Sequence, residues 1–136
     1  MKYIFALFFM IIALPAITAE EANPEEPKAE VHYFDLDPNI ITNYQKPPSR
    51  RLGFVTVDVQ LQVSSVASLD DLEYHKPLVE STIIDVINEL DEKTIKDISK
   101  RNEIRAKVKM RVANALKEET GKEIVDDVLF TSFIYQ

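Results

Sequence analysis

The 136-residue sequence has no cysteine, only two glycines (Gly53 and Gly121) and only two histidines (His32 and His75). Each shortage closes off a class of function. Without cysteine there is no disulfide staple, no thiolate metal ligand and no lipid-modified amino-terminal cysteine. Two isolated glycines cannot build a glycine-rich phosphate loop, which needs several residues that let the backbone approach a phosphate. Two histidines in different elements, with no His-x3-His pair, fall short of the three or four ligands that zinc requires. The formal net charge of −7 argues against nucleic acid as the main partner, because that binding depends on neutralising phosphates. Ser68, Ser81 and Ser99 lie in no Gly-x-Ser-x-Gly turn. No catalytic residue, metal ligand or cofactor site is therefore assigned, and the chain reads as non-enzymatic.

What is present is a long period-two stretch. Val55, Val57, Val59, Leu61 and Val63 alternate with Phe54, Thr56, Asp58, Gln60 and Gln62. That alternation predicts a strand with one buried face, its β-branched residues on the apolar side. A one-sided strand needs cover, and the remaining chain supplies it. His32 to Leu36, with Val31, reads as a first strand, Asp37-Pro38-Asn39 as a turn, and Ile40 to Tyr44 as further extended chain. Ser68 is read as the cap of a short helix from Leu69 to His75, with Asp70 and Asp71 in its first turn. Pro77 suits the first turn of a second helix, along which Leu78, Val79, Ile83, Ile84, Val86, Ile87 and Leu90 form a stripe. Thr94 is read as capping a short turn that holds Ile95 and Ile98. A long helix from about Arg101 carries the stripe Ile104, Val108, Val112, Ala115 and Leu116 and stops at Gly121, which can take positive φ. Val125 to Tyr135 is apolar on both faces, which predicts a last strand inside the sheet rather than at its edge. The expectation is an α+β fold: a small antiparallel or mixed sheet of about three main strands, packed against two long and two short helices.

The amino terminus carries a different signal. One basic residue, Lys2, precedes an apolar run from Tyr3 to Leu14, and Pro15 to Ala19 leads into the acidic Glu20-Glu21. This is the pattern of a secretory signal cleaved after Ala19, with a short uncleaved anchor as the alternative. Residues 20–30 hold five glutamates, two prolines and a single lysine, so they are expected to be a disordered acidic tether. Residues 31–136 form the folded domain.

Candidate sites are few. Asp35 and Asp37 flank Leu36, but six or more oxygens are needed for calcium and no further acidic cluster follows. They are read as a solvated strand end and a turn residue. His75, beside Pro77, is read as packing or bonding locally at a helix junction. Charge is the strongest surface signal. Residues 100–117 carry seven cations against Glu103 alone, whereas residues 20–37 carry seven acids against Lys28 alone. A charged run is often only a solvated face. The other reading is a partner surface built on Arg101, Lys107, Lys109 and Arg111, facing an anionic lipid surface, an acidic neighbour or the tether of a second copy. Arg105, at the edge of the apolar stripe, is expected to snorkel along it.

Tyr33-Phe34-Asp35-Leu36-Asp37-Pro38, the alternating strand, His75-Lys76-Pro77-Leu78 and the terminal Asp127-Val128-Leu129-Phe130-Thr131-Ser132-Phe133-Ile134-Tyr135-Gln136 resemble the FliL family of flagellar basal body-associated proteins. The terminal stretch is the most specific part. The resemblance covers about residues 33–136. It implies a periplasmic domain similar to the stomatin or prohibitin type, with no enzymatic activity and no cofactor. It also implies association with stator and basal-body proteins, ring-like self-association or pairing with a membrane-anchored relative, and an effect on motor output. Family members usually carry a full-length membrane helix near the amino terminus. The short run here fits a secreted paralogue, with contact at the inner-membrane surface an open option. A periplasmic scaffold or binding module unrelated to motility is the competing expectation.

Overall fold

The computed structural model describes residues 30–136. The expected signal segment, 1–19, and almost all of the expected tether, 20–30, lie outside the described residues. The alternating stretch forms the central strand of a four-stranded antiparallel sheet. The strands are β1 (His32–Asp35), β2 (Ile40–Gln45), β3 (Leu52–Val63) and β4 (Asp127–Tyr135). One side of β3 pairs with β1 near Val63 and with β2 near Leu52, while the other side pairs with β4. β1 and β2 thus follow one another along the same edge of β3. Between them Leu36 to Asn39 stand opposite Asp58 and Val59, so the proline turn is looped out of the ladder. The stretch expected to continue as extended chain is therefore a fourth strand.

All helices lie on one face. They are α1 (Val66–Tyr74), α2 (Lys76–Asn88), α3 (Glu92–Lys96) and α4 (Arg101–Thr120), with a single 3-10 turn at Ile98–Lys100. The inward residues of β3, from Val55 to Val63, are all buried, and they meet Ile83 and Ile87 of α2 and Val108 and Val112 of α4 in one core. Each such aliphatic side chain contributes roughly 1.5–3 kcal/mol when fully buried. Phe130 packs against this core but is only partly buried.

Three local expectations are corrected. The first helix is capped by Ser65, whose Oγ accepts from the Ser68 N–H at 3.1 Å, so it starts at Val66 and Asp70 and Asp71 lie beyond its first turn. Ser65 stands where the chain leaves β3, and there the backbone is extended, as a cap requires. Likewise Asp91, not Thr94, caps α3: its Oδ1 accepts from the Thr94 N–H at 2.8 Å. Lastly, β4 is an edge strand, since β3 is its only partner among the described strands. Its inward side, with Phe130 and Phe133, packs against the core, while Ile134 on the other side is open to solvent. Apolar residues on both faces thus reflect one covered face and one open face.

The end of α4 follows the sequence expectation. Gly121 has φ of 74°, and its N–H donates to the Lys117 carbonyl. His75 sits at the α1–α2 junction, where its N–H donates to the Asp71 carbonyl and its own carbonyl accepts from Leu78 and Val79.

Candidate interaction surface

α4 positions the cations singled out from the sequence. Its apolar stripe, Ile104, Val108, Val112 and Leu116, is buried against the sheet and α2, which sends the charged side chains to the flanks. On the α2 flank, Lys107 Nζ lies 2.7 Å from Glu89 Oε2 and Arg111 donates to the other oxygen of the same carboxylate. The Lys107 ammonium, joined by the Arg111 charge, holds the Glu89 carboxyl below its ordinary range. On the β4 flank, Arg105 Nη1 donates to Asp127 Oδ2 at 3.2 Å and to the Val128 carbonyl at 3.4 Å. Lys109 Nζ is 3.9 Å from the other Asp127 oxygen. Lys100 pairs with Glu103 at 2.8 Å and Lys117 with Glu123 at 2.9 Å.

Arg101 is different. Its guanidinium carbon lies 3.4 Å from the centre of the Phe133 ring, and Nη1 is buried with no hydrogen-bond partner among the described residues. Burial pushes its pKa down. Stacking on an aromatic face is the arrangement to which a planar guanidinium is suited. Arg101 thus covers the partly exposed ring of Phe133 where α4 crosses the free edge of β4.

The four predicted partner residues are therefore not brought together as one patch. Lys107 and Arg111 face α2, Lys109 faces β4, and Arg101 lies over an aromatic ring. Every other cation between residues 100 and 117 has an acid within salt-bridge distance. Two of those acids, Glu89 and Asp127, come from other elements and fasten α4 to α2 and to β4. Exposed pairs of this kind contribute only about 0–1 kcal/mol each, and their four acids, Glu89, Glu103, Glu123 and Asp127, offset only part of the charge of the seven cations.

A second surface was not singled out from the sequence. No described element covers the sheet face opposite the helices. Ile41, Phe54 and Ile134 expose 65%, 55% and 58% of their surface on it, with Leu52 at the same end. The ladder places Ile41 and Ile134 on either side of Thr56. The signal was present as Phe54, an aromatic residue on the polar side of the alternation. An exposed apolar cluster rimmed by polar residues marks an interaction surface.

The concavity between α2 and α4 is polar. It is a groove of about 640 Å³ lined by residues that include Asp85, Asn88, Glu89, Arg111 and Glu118. Asn88 is occupied in structure, accepting from the buried Thr42 hydroxyl at 2.7 Å. Asp35 accepts from Gln60 at 2.6 Å, and the Asp37 carbonyl accepts from Lys76. Among the described residues no three His, Asp or Glu side chains gather where they could hold a metal ion. No described helix is long and apolar enough to cross a membrane.

The fold is a one-sided α+β sandwich with an open sheet face and a charged helix fastened to its neighbours. The family model for the flagellar basal body-associated protein FliL matches residues 33–136, and the chain belongs to that family. It is thereby associated with the flagellar basal body. Comparison with individual curated proteins gives no match.

Proposed function

We propose that this chain is a non-enzymatic accessory subunit of the flagellar motor, working in the periplasm beside the stator and modulating motility. The observation that carries the reading is the extent of the family match, which runs from Tyr33 in β1 through the end of β4 and so takes in nearly the whole folded unit. Self-association, or association with a membrane-anchored relative, follows from the same family reading. The open sheet face supports it, because charge alone gives too little to hold subunits together at physiological salt. Arg101, Lys107, Lys109 and Arg111 contribute to docking in this reading by exchanging their internal partners for acids on a neighbour.

The test is genetic and biochemical together. Deleting the gene is expected to alter swimming or swarming under viscous load, and tagged protein is expected to bring down stator components. Replacing the four cations by glutamine should weaken that co-purification while the protein still unfolds in one cooperative transition, at a somewhat lower temperature because the pairs to Glu89 and Asp127 and the Arg101–Phe133 contact are lost. Unchanged motility under every load would overturn the motor reading. Undiminished capture at both low and high salt would remove the four cations from the interface.

A further inference from the structure

All the cations of α4 but Arg101 have an acid within salt-bridge distance, whereas another cationic element has no ion pair among the described residues. The β2–β3 connection, residues 46–51, extends beyond the last ladder pair, Gln45 with Leu52. It carries Lys46, Arg50 and Arg51, and no acid occurs from Asn39 through Val57 in a chain whose net charge is −7. Among the described residues, the Arg50 and Arg51 side chains make no ion pair or hydrogen bond: the Arg51 bond to Ser49 Oγ is through its backbone N–H. Lys46 lies 5.6 Å from the centre of the Tyr44 ring. Glu92 is near enough to feel the Lys46 charge, but Lys96 already holds it at 2.6 Å. Directly behind the loop, Leu52 and Phe54 expose 54% and 55% of their surface on the open sheet face.

We propose that this hairpin tip, Lys46 to Phe54, docks on an anionic lipid surface, with the three cations meeting headgroup phosphates and Leu52 and Phe54 entering the boundary beneath them. Unpaired cations beside exposed aliphatic and aromatic side chains are the combination that holds an element at a charged membrane interface. Pro47 and Pro48 fix φ at two of the six loop residues, which lowers the ordering cost of such a contact. The tip lies at the opposite end of β3 from His32, which pairs with Val63, roughly 40 Å away for a twelve-residue strand. Hairpin docking is therefore a contact at the end of the sheet remote from the start of the first strand. It needs only the folded domain and does not rest on the motor reading.

The absence of cysteine makes the test clean. Ser49→Cys in the full chain takes a single environment-sensitive fluorophore at the tip, and Ser64→Cys takes the same label at the far end of β3. Each labelled protein is mixed with vesicles of phosphatidylcholine, alone or with added phosphatidylglycerol. The expected result is a blue shift at position 49 only with phosphatidylglycerol present, reversed by salt, and no such lipid-selective shift at position 64. Each cation near an anionic surface is worth about a fivefold change in partition, so Lys46→Gln with Arg50→Gln and Arg51→Gln should weaken binding about 100-fold. Replacing Leu52 and Phe54 by serine should leave binding that salt abolishes more easily. The proposal is overturned if the tip label ignores phosphatidylglycerol, if it shifts equally with neutral vesicles, or if neutralising the three cations changes nothing. A shift produced by unlabelled copies of the chain without vesicles, and not by lipid, would assign the tip to protein contact instead.

Discussion

The ring of Tyr44 lies directly over Gly53. A β-carbon added at Gly53 would stand 2.1 Å from Tyr44 Cζ, so glycine is the only residue that fits beneath the ring. The two residues are ladder partners on β2 and β3. Tyr44 is itself buried, and its hydroxyl donates at 2.9 Å to the carbonyl of Gln136, tying the end of β4 to the opposite edge of the sheet.

Gly53→Ala is therefore expected to destabilise the domain by about 1–3 kcal/mol, the range for overpacking a well-filled site. Tyr44→Phe should cost about 1 kcal/mol for the lost hydrogen bond. Truncating Tyr44 to alanine should make the Gly53 substitution much less harmful, because the two share one volume. Urea melts of the single and double variants measure the coupling, and strict additivity would contradict the packing.

Val59 is 3% exposed, at the centre of the sheet's covered face. A carboxylate there has no partner, and its burial costs several kcal/mol, comparable to the whole stability of a small domain. Val59→Asp should leave the protein unfolded at ambient temperature, with no cooperative transition in circular dichroism. A melt like that of the parent would mean that Val59 does not face the core.

Acid should weaken the fold through Glu89. Hydrogen bonding from Lys107, with the Arg111 charge behind it, lowers the carboxyl pKa in the folded state from the ordinary 4.5. A depressed folded pKa contributes stability that is complete above the unfolded value and is lost as pH falls through the folded one. Glu92 beside Lys96 and Glu123 beside Lys117 act in the same direction. The melting temperature is thus expected to drop as pH falls below about 4.5, and Glu89→Gln should make that drop shallower. Identical acid profiles for parent and variant would show that the Glu89 fork carries no linkage.

Cleavage after Ala19 is the expectation for the amino terminus, on the strength of the short apolar run and Pro15. Mass spectrometry of protein recovered from cells should give a mature chain beginning at Glu20. An intact Met1 in a carbonate-resistant membrane pellet would show an anchor instead.

The elements themselves were legible in the sequence wherever a periodic pattern met a chemical stop. The alternation from Phe54 to Val63, the stripe from Ile104 to Leu116 and the glycine at 121 each encode a local geometry that any burial partner would satisfy. The caps were harder. Ser65 and Ser68 are equally good cap residues, and the choice between them depends on where the backbone turns off β3. The edge position of β4 could not be read at all. Hydrophobicity records which faces are apolar, not how many strands stand alongside, and the open face carrying Phe54 and Ile134 leaves that pattern looking doubly buried.

The character of the α4 surface was likewise a matter of tertiary structure. Counting residues 100–117 yields a strongly basic segment, and that count is correct. Its partners, however, include Glu89 at the end of α2 and Asp127 on β4, which lie up to 22 residues away from the cations they bind. Only folding brings those acids to within hydrogen-bond distance, because Coulomb attraction depends on separation in space and not along the chain. The same folding leaves Arg50 and Arg51 without an acid among the described residues, so unopposed positive charge stands at the β2–β3 tip as well as on the helix where the sequence concentrates it.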